Sequence, residues 1–174
     1  MLTDIAKQQL RKAGWYEGRK IDLTKYEEAY AEVGCKLFPA AKKFLEEYGD
    51  LDIQDKYIST ATYENGDHFI VINRSLIDVA YCCCPRDLKL EEMVDELFHQ
   101  KILRVGAIDQ GEMNIFISED GRFFTNWHSV GLWAENSDQL WNEYYGEDYG
   151  WATWNDLKAG KGRTMFKKEI EKYL

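Results

Sequence analysis

The chain has little of what marks specialised chemistry. It holds three histidines (His68, His99, His128), none four positions from another, and no His-Glu-x-x-His. No zinc-protease helix is therefore encoded. Its four cysteines, Cys35, Cys82, Cys83 and Cys84, contain no Cys-x-x-Cys pair. Three in a row make no sensible disulfide framework, so reduced thiols in a cytoplasm are the expectation. No metal or other cofactor is expected. Residues 160–164 (Gly-Lys-Gly-Arg-Thr) come nearest to a phosphate loop. They lack its leading glycine, where Asn155 stands, and carry Gly162 in place of Ser or Thr. The apolar runs, such as residues 69–72, are far too short to span a bilayer, and Asp4, Lys7, Arg11 and Lys12 interrupt any signal-peptide core. Proline occurs only twice, and no linker or repeat divides the 174 residues, so one domain over 1–174 is expected.

The most informative absence is basic charge. Residues 123–157 contain no Lys or Arg, yet hold Glu135, Asp138, Glu143, Glu147, Asp148 and Asp156. They also hold five of the six tryptophans, Trp127, Trp133, Trp141, Trp151 and Trp154, with Tyr144, Tyr145 and Tyr149. Two readings stand. Large aromatics pack cores. Beside unneutralised carboxylates they also suit a surface for a basic protein partner, with Trp133, Tyr144 and Tyr145 as anchors and Glu135, Asp138, Glu143, Glu147 and Asp148 as contacts. Residues 158–174 carry six basic side chains against Glu169 and Glu171, a net of +4, and leave -13 for the remainder of a chain whose net charge is -9. Such a tail has the charge to fold back on the acidic stretch. The acidity argues against nucleic acid and anionic membranes as partners.

Nucleophilic catalysis has no local signature; Cys83 with His99 or His128 is the only pairing to consider. Paired carboxylates would suit a small hydrolase, with Trp133 and Trp141 as sugar platforms.

Periodicity predicts mixed structure. Thr3 caps a helix ended by Gly14, Thr24 and Glu27 form a capping box, and Pro39 opens a third helix ended by Gly49. Residues 57–63 and 68–73 read as strands joined by Asn65-Gly66. Residues 77–84 read as a further strand ended by Pro85, and 88–99 as a helix. Strands follow at 103–108, 113–118 and 122–127, with a turn at 119–121. Ser137 caps a helix through Tyr145. Residues 151–158 and 164 onward read as helical, the latter part of a basic C-terminal helix at about 158–174. The class is α+β, with a central mostly antiparallel or mixed sheet flanked by helices.

Several pieces, in order, resemble one family. Residues 12–22 (KAGWYEGRKID), 44–51 (FLEEYGDL), 102–108 (ILRVGAI), 117–124 (ISEDGRFF), and Val130-Gly131 followed by 137–145 are similar to the third subfamily of the SUKH superfamily. Asp50 departs from the pattern, which has a small residue there, and the segment after Gly146 is longer than the family's. The resemblance implies a non-enzymatic bacterial immunity protein. Its partner would be the cognate toxin domain of a polymorphic toxin system, often a basic nuclease. Among the signature residues, Gly14, Trp15 and Arg19 read as architecture: Gly14 ends a helix, Trp15 seals the base of the sheet, and Arg19 pairs with a carboxylate or caps carbonyls. The alternatives are a SUKH-fold adaptor or ligand-binding module and the paired-carboxylate hydrolase.

Overall fold

The computed structural model describes residues 1–83, 87–108, 111–126, 130–168 and 170–173. Three helices open the chain. In α1 (Asp4–Lys12) the Thr3 hydroxyl accepts from the Ala6 N–H at 3.2 Å, and Ala6, Gln9 and Leu10 face inward. In α2 (Thr24–Glu32) the N-cap is Leu23, and Thr24 lies inside the helix with its N–H donating to Asp22 Oδ1 at 2.8 Å. Asp22 thus takes the capping role expected of Thr24, and the capping box does not form. Pro39 opens α3 (Pro39–Tyr48), and Gly49 closes it.

A long hairpin follows. β1 (Leu51–Thr62) starts well before residue 57, because Leu51, Ile53 and Asp55 alternate into the interior, and β2 (His68–Ile77) returns antiparallel. The strand expected over 77–84 is not formed over the described residues 78–83. Asp78 accepts from the Tyr81 N–H at 3.2 Å and starts α4 (Val79–Cys82). Cys84 and Pro85 lie outside the described residues.

The remaining elements are α5 (Leu88–Phe98), β3 (Ile102–Ile108), β4 (Met113–Ser118), β5 (Phe123–Thr125), β6 (Gly131–Ala134), α6 (Ser137–Tyr145), β7 (Asp148–Thr153), α7 (Trp154–Lys158), β8 (Thr164–Lys167) and β9 (Ile170–Tyr173). Asn136, not Ser137, caps α6, accepting from the Gln139 N–H at 3.0 Å. Residues 151–153 belong to β7, and α7 begins only at Trp154, behind a capping box of Thr153 and Asp156.

The C-terminus is the largest correction. The basic helix expected over about 158–174 is two short strands, β8 on β7 and β9 on β1. Unpaired backbone groups on those two edges offer a ladder that an isolated amphipathic turn cannot match.

All strand neighbours are antiparallel, in the order β8-β7-β6-β5-β4-β3-β2-β1-β9. β8 and β9 are consecutive in the chain yet stand at opposite ends of that order. Their link, residues 168–169, spans at most roughly 11 Å. The sheet must therefore curl until its two ends approach each other, and the fold is an α+β half-barrel.

Both faces of the middle strands are covered, which explains why β4, β5 and β6 read as continuous apolar runs. Leu103, Val105, Ile115, Ile117 and Phe123 pack against α1, α2, α3 and α6 in the main core. Ile102, Phe116, Phe124, Leu132 and Ala152 face the other way, against Leu90 and Val94 of α5 and Trp154 of α7.

Candidate interaction surface

The family signature ties the exit of α1 to the end of α3. Gly14 adopts φ +96°, a conformation that L side chains resist, and the Trp15 N–H returns to the Leu10 carbonyl at 3.1 Å. This seats Trp15 in the main core at 4% exposure, with its indole N–H donating to Glu47 Oε1 at 3.1 Å. Arg19 donates to the Glu47 main-chain carbonyl at 2.7 Å, placing a cation on the last turn of α3. Asp50, the departure from the family pattern, has φ +61°. Its N–H donates to the Tyr26 hydroxyl at 3.0 Å, and its carboxylate meets Lys25 at 2.7 Å. Those contacts hold a left-handed residue where a glycine would sit without strain.

The aromatic half of the expected partner surface is core. Trp141 and Tyr145 are fully buried, and Trp133, Tyr144 and Trp154 nearly so. Trp141 packs with Phe44 and Tyr48 of α3, and edge-on to Tyr144 at 5.8 Å between ring centres. Trp133 and Trp141 therefore offer no sugar platform, and Trp133, Tyr144 and Tyr145 no exposed anchor. Trp127 and His128 lie outside the described residues.

Glu143 is also interior. Its carboxylate accepts from the Gly150 N–H at 2.8 Å and pairs with Arg163, both side chains less than one-tenth exposed. Lys168 follows the same pattern: its ammonium donates to the Glu143 carbonyl at 2.7 Å and to that of Tyr144, at the end of α6. Burial pushes this ammonium down to about 8, against the pull of the Asp55 and Glu143 carboxylates. Ser75 and the Tyr144 hydroxyl, 2.8 Å apart, extend the polar cluster across to β2. The basic tail thus folds back on the acidic stretch and neutralises its buried member.

What remains outside is a set of carboxylates. Glu135, Glu147 and Asp148 are exposed, and Asp138 lies 2.8 Å from the Met1 amino group. They stand at the two ends of α6 rather than on one face with aromatic anchors. A second set lies on α5, in the run Glu91-Glu92-Met93-Val94-Asp95-Glu96. Among the described residues Glu92, Asp95 and Glu96 form no ion pair. Glu92 and Asp95 border an open groove of about 550 Å³ whose apolar floor includes Phe38, Ile102 and Leu103. This set was visible as four carboxylates in six residues, but its apolar neighbours come from Phe38, just before α3, and from β3, distant in sequence.

Among the described residues no group of three or more His, Cys, Asp or Glu is arranged to hold a metal ion, and no helix is long and apolar enough to cross a membrane. Cys82 is buried in the main core, where burial raises its thiol well above the ordinary range; Cys35 and Cys83 are partly exposed.

The fold and its exterior define an acidic α+β protein that closes a curled antiparallel sheet with its own C-terminal strands. The family model of the SUKH-3 immunity protein matches residues 3–145, and the chain belongs to that family. The matched span ends with α6; β7, α7, β8 and β9 lie beyond it. No curated protein and no solved structure matches the chain.

Proposed function

We propose that this protein neutralises one cognate toxin domain by binding and covering it, catalysing no reaction itself. Membership of an immunity-protein family over residues 3–145 carries the reading. The toxin is a basic domain, such as a nuclease that grips phosphate, and the encounter takes place in the cytoplasm. The net charge of -9 supports this partner, since an acidic inhibitor meets a basic target fast through long-range attraction. The contacts are the carboxylates that the fold leaves outside: Glu135, Asp138, Glu147 and Asp148 around α6, and Glu92, Asp95 and Glu96 beside the groove.

The toxin is obtained by pull-down from the source bacterium with the tagged protein as bait. Association is then followed by stopped flow over a salt series. Two triple variants, Glu135→Lys/Glu147→Lys/Asp148→Lys and Glu92→Lys/Asp95→Lys/Glu96→Lys, probe the two sets. The set that faces the toxin slows association and flattens the salt dependence when reversed. Unchanged kinetics for both variants would remove the charged surfaces from the mechanism. Turnover of the toxin or of its substrate by this protein would remove the non-enzymatic reading.

A further inference from the structure

The groove of about 550 Å³ lies between α5 and the segment that joins α2 to α3. From α5 it is lined by Glu91, Glu92 and Asp95. Asp95 follows Glu92 by three positions and Glu91 by four, so the three carboxylates share one side of the helix and repel one another. Asp95 and Glu96 also occupy the last turn of α5, which has no basic residue to offset the negative end of the helix. The floor is apolar, made by Phe38, Ile102 and Leu103. Gln100 lines the same groove, and its side-chain oxygen is buried with no hydrogen-bond partner among the described residues. A buried acceptor without a donor carries a desolvation cost that an arriving N–H group removes.

We infer that this groove is a slot for one arginine side chain of the toxin domain; the inference takes its partner from the proposed function and rests on it. The Glu92 and Asp95 carboxylates and the Gln100 oxygen are all acceptors, so the occupant brings positive charge and several N–H donors. A guanidinium carries five donors in a planar fork and sheds water more easily than an ammonium, which suits a site with an apolar floor. Its aliphatic stem covers Phe38, Ile102 and Leu103 while the head meets the α5 wall. The opposite rim carries Lys36 and Lys101, which repel a polybasic run and leave a place for one cation beside α5. A cation held in such a slot is desolvated. Loss of its partners therefore shows in the dissociation rate, whereas loss of an open surface charge shows in the association rate.

The first test uses the full chain without toxin. N-acetylarginine amide should move the amide NMR signals of Glu92, Asp95, Gln100 and Ile102. N-acetylnorleucine amide, which keeps an aliphatic stem but lacks the cation, should not. Glu92→Gln/Asp95→Asn should abolish the response and unfold at the same temperature as the parent protein or higher, because it removes repulsion along α5. The second test uses the toxin recovered by pull-down. The same variant should raise its dissociation rate roughly ten-fold or more, whereas Glu135→Gln/Glu147→Gln/Asp148→Asn should change mainly the association rate. No response at the groove, an equal response to both amides, or a response kept by the double variant would each overturn the inference. A marked fall in the unfolding temperature of that variant would do so too, by making the two carboxylates structural. An unchanged dissociation rate would overturn it while toxin binding by the parent protein still upheld the proposed function. Arginine amide bound in the groove of a parent protein that binds no toxin would remove the proposed function and overturn the toxin as occupant.

Discussion

Arg163 and Glu143 form an ion pair with both side chains less than one-tenth exposed, joining the segment before β8 to the last turn of α6. Around it the Gly150 N–H donates to the Glu143 carboxylate and the Lys168 ammonium to the Glu143 main-chain carbonyl. The acidic stretch and the basic tail are thus one structural unit.

Breaking that pair from one side should be costly. Glu143→Gln or Arg163→Met leaves a buried charge without its counterion, and each should destabilise by about 3–5 kcal/mol in urea unfolding. The double variant should lose less than the sum of the singles. Additive losses would show that the two groups do not interact.

Lys168 should give the fold a distinctive alkaline response. Its ordinary value is 10.5, and burial holds it near 8 in the fold. Below 8 both states carry the charge, and the folded state bears its burial cost. Between the two values the unfolded chain binds the extra proton, so the contribution of this group to stability rises with pH. Buried Tyr30 and Cys82 act with the opposite sign in that range, because burial raises both. The readout is therefore the difference between the parent protein and Lys168→Met in urea midpoints across this range. The parent should gain on the variant as pH rises. A constant difference would mean that Lys168 titrates normally.

Trp15→Ala should destabilise by about 3–5 kcal/mol, the range for truncating a large buried aromatic. Trp15 is 4% exposed and bonded to Glu47, so the thermal midpoint should fall well below that of the parent protein. A midpoint that hardly moves would place the side chain outside the core.

Gly106→Ala should separate β2 from β3 where they meet. A Cβ there would lie 2.9 Å from the Leu76 carbonyl oxygen and 2.5 Å from Ile77 Cδ1. Among the described residues Leu76–Ala107 is the register pair that joins these strands, so the clash falls where they meet. A loss of about 1–3 kcal/mol is expected. Hydrogen exchange should quicken first at Leu76 and Ala107.

Local chemistry was readable wherever one residue decides the backbone. Thr3, Pro39 and the Asn65-Gly66 turn appear where their side chains or φ preferences require, and Gly49 ends α3 where a Cβ would lie 2.5 Å from the Leu45 carbonyl oxygen. Residues 164–173 were misread because Phe166, Ile170 and Tyr173 match a helical period, and periodicity carries no information about open strand edges elsewhere in the chain. Four members of the candidate site were misread for a related reason. Composition counts tryptophans and carboxylates, but the inward or outward direction of each depends on which strand or helix faces it. Trp133, Tyr144, Tyr145 and Glu143 turned inward because α6 lies on the sheet and the tail closes over its end.

By itself the sequence determined the α+β class, the Thr3 cap and the Asn65-Gly66 turn, the acidity and the family pattern, all of which depend on neighbours in the chain or on totals. Only the tertiary structure decided which carboxylates are neutralised and that the tail pairs as strands. Those depend on residues far apart in sequence, such as Arg163 with Glu143 and Lys172 with Ile58, meeting in space.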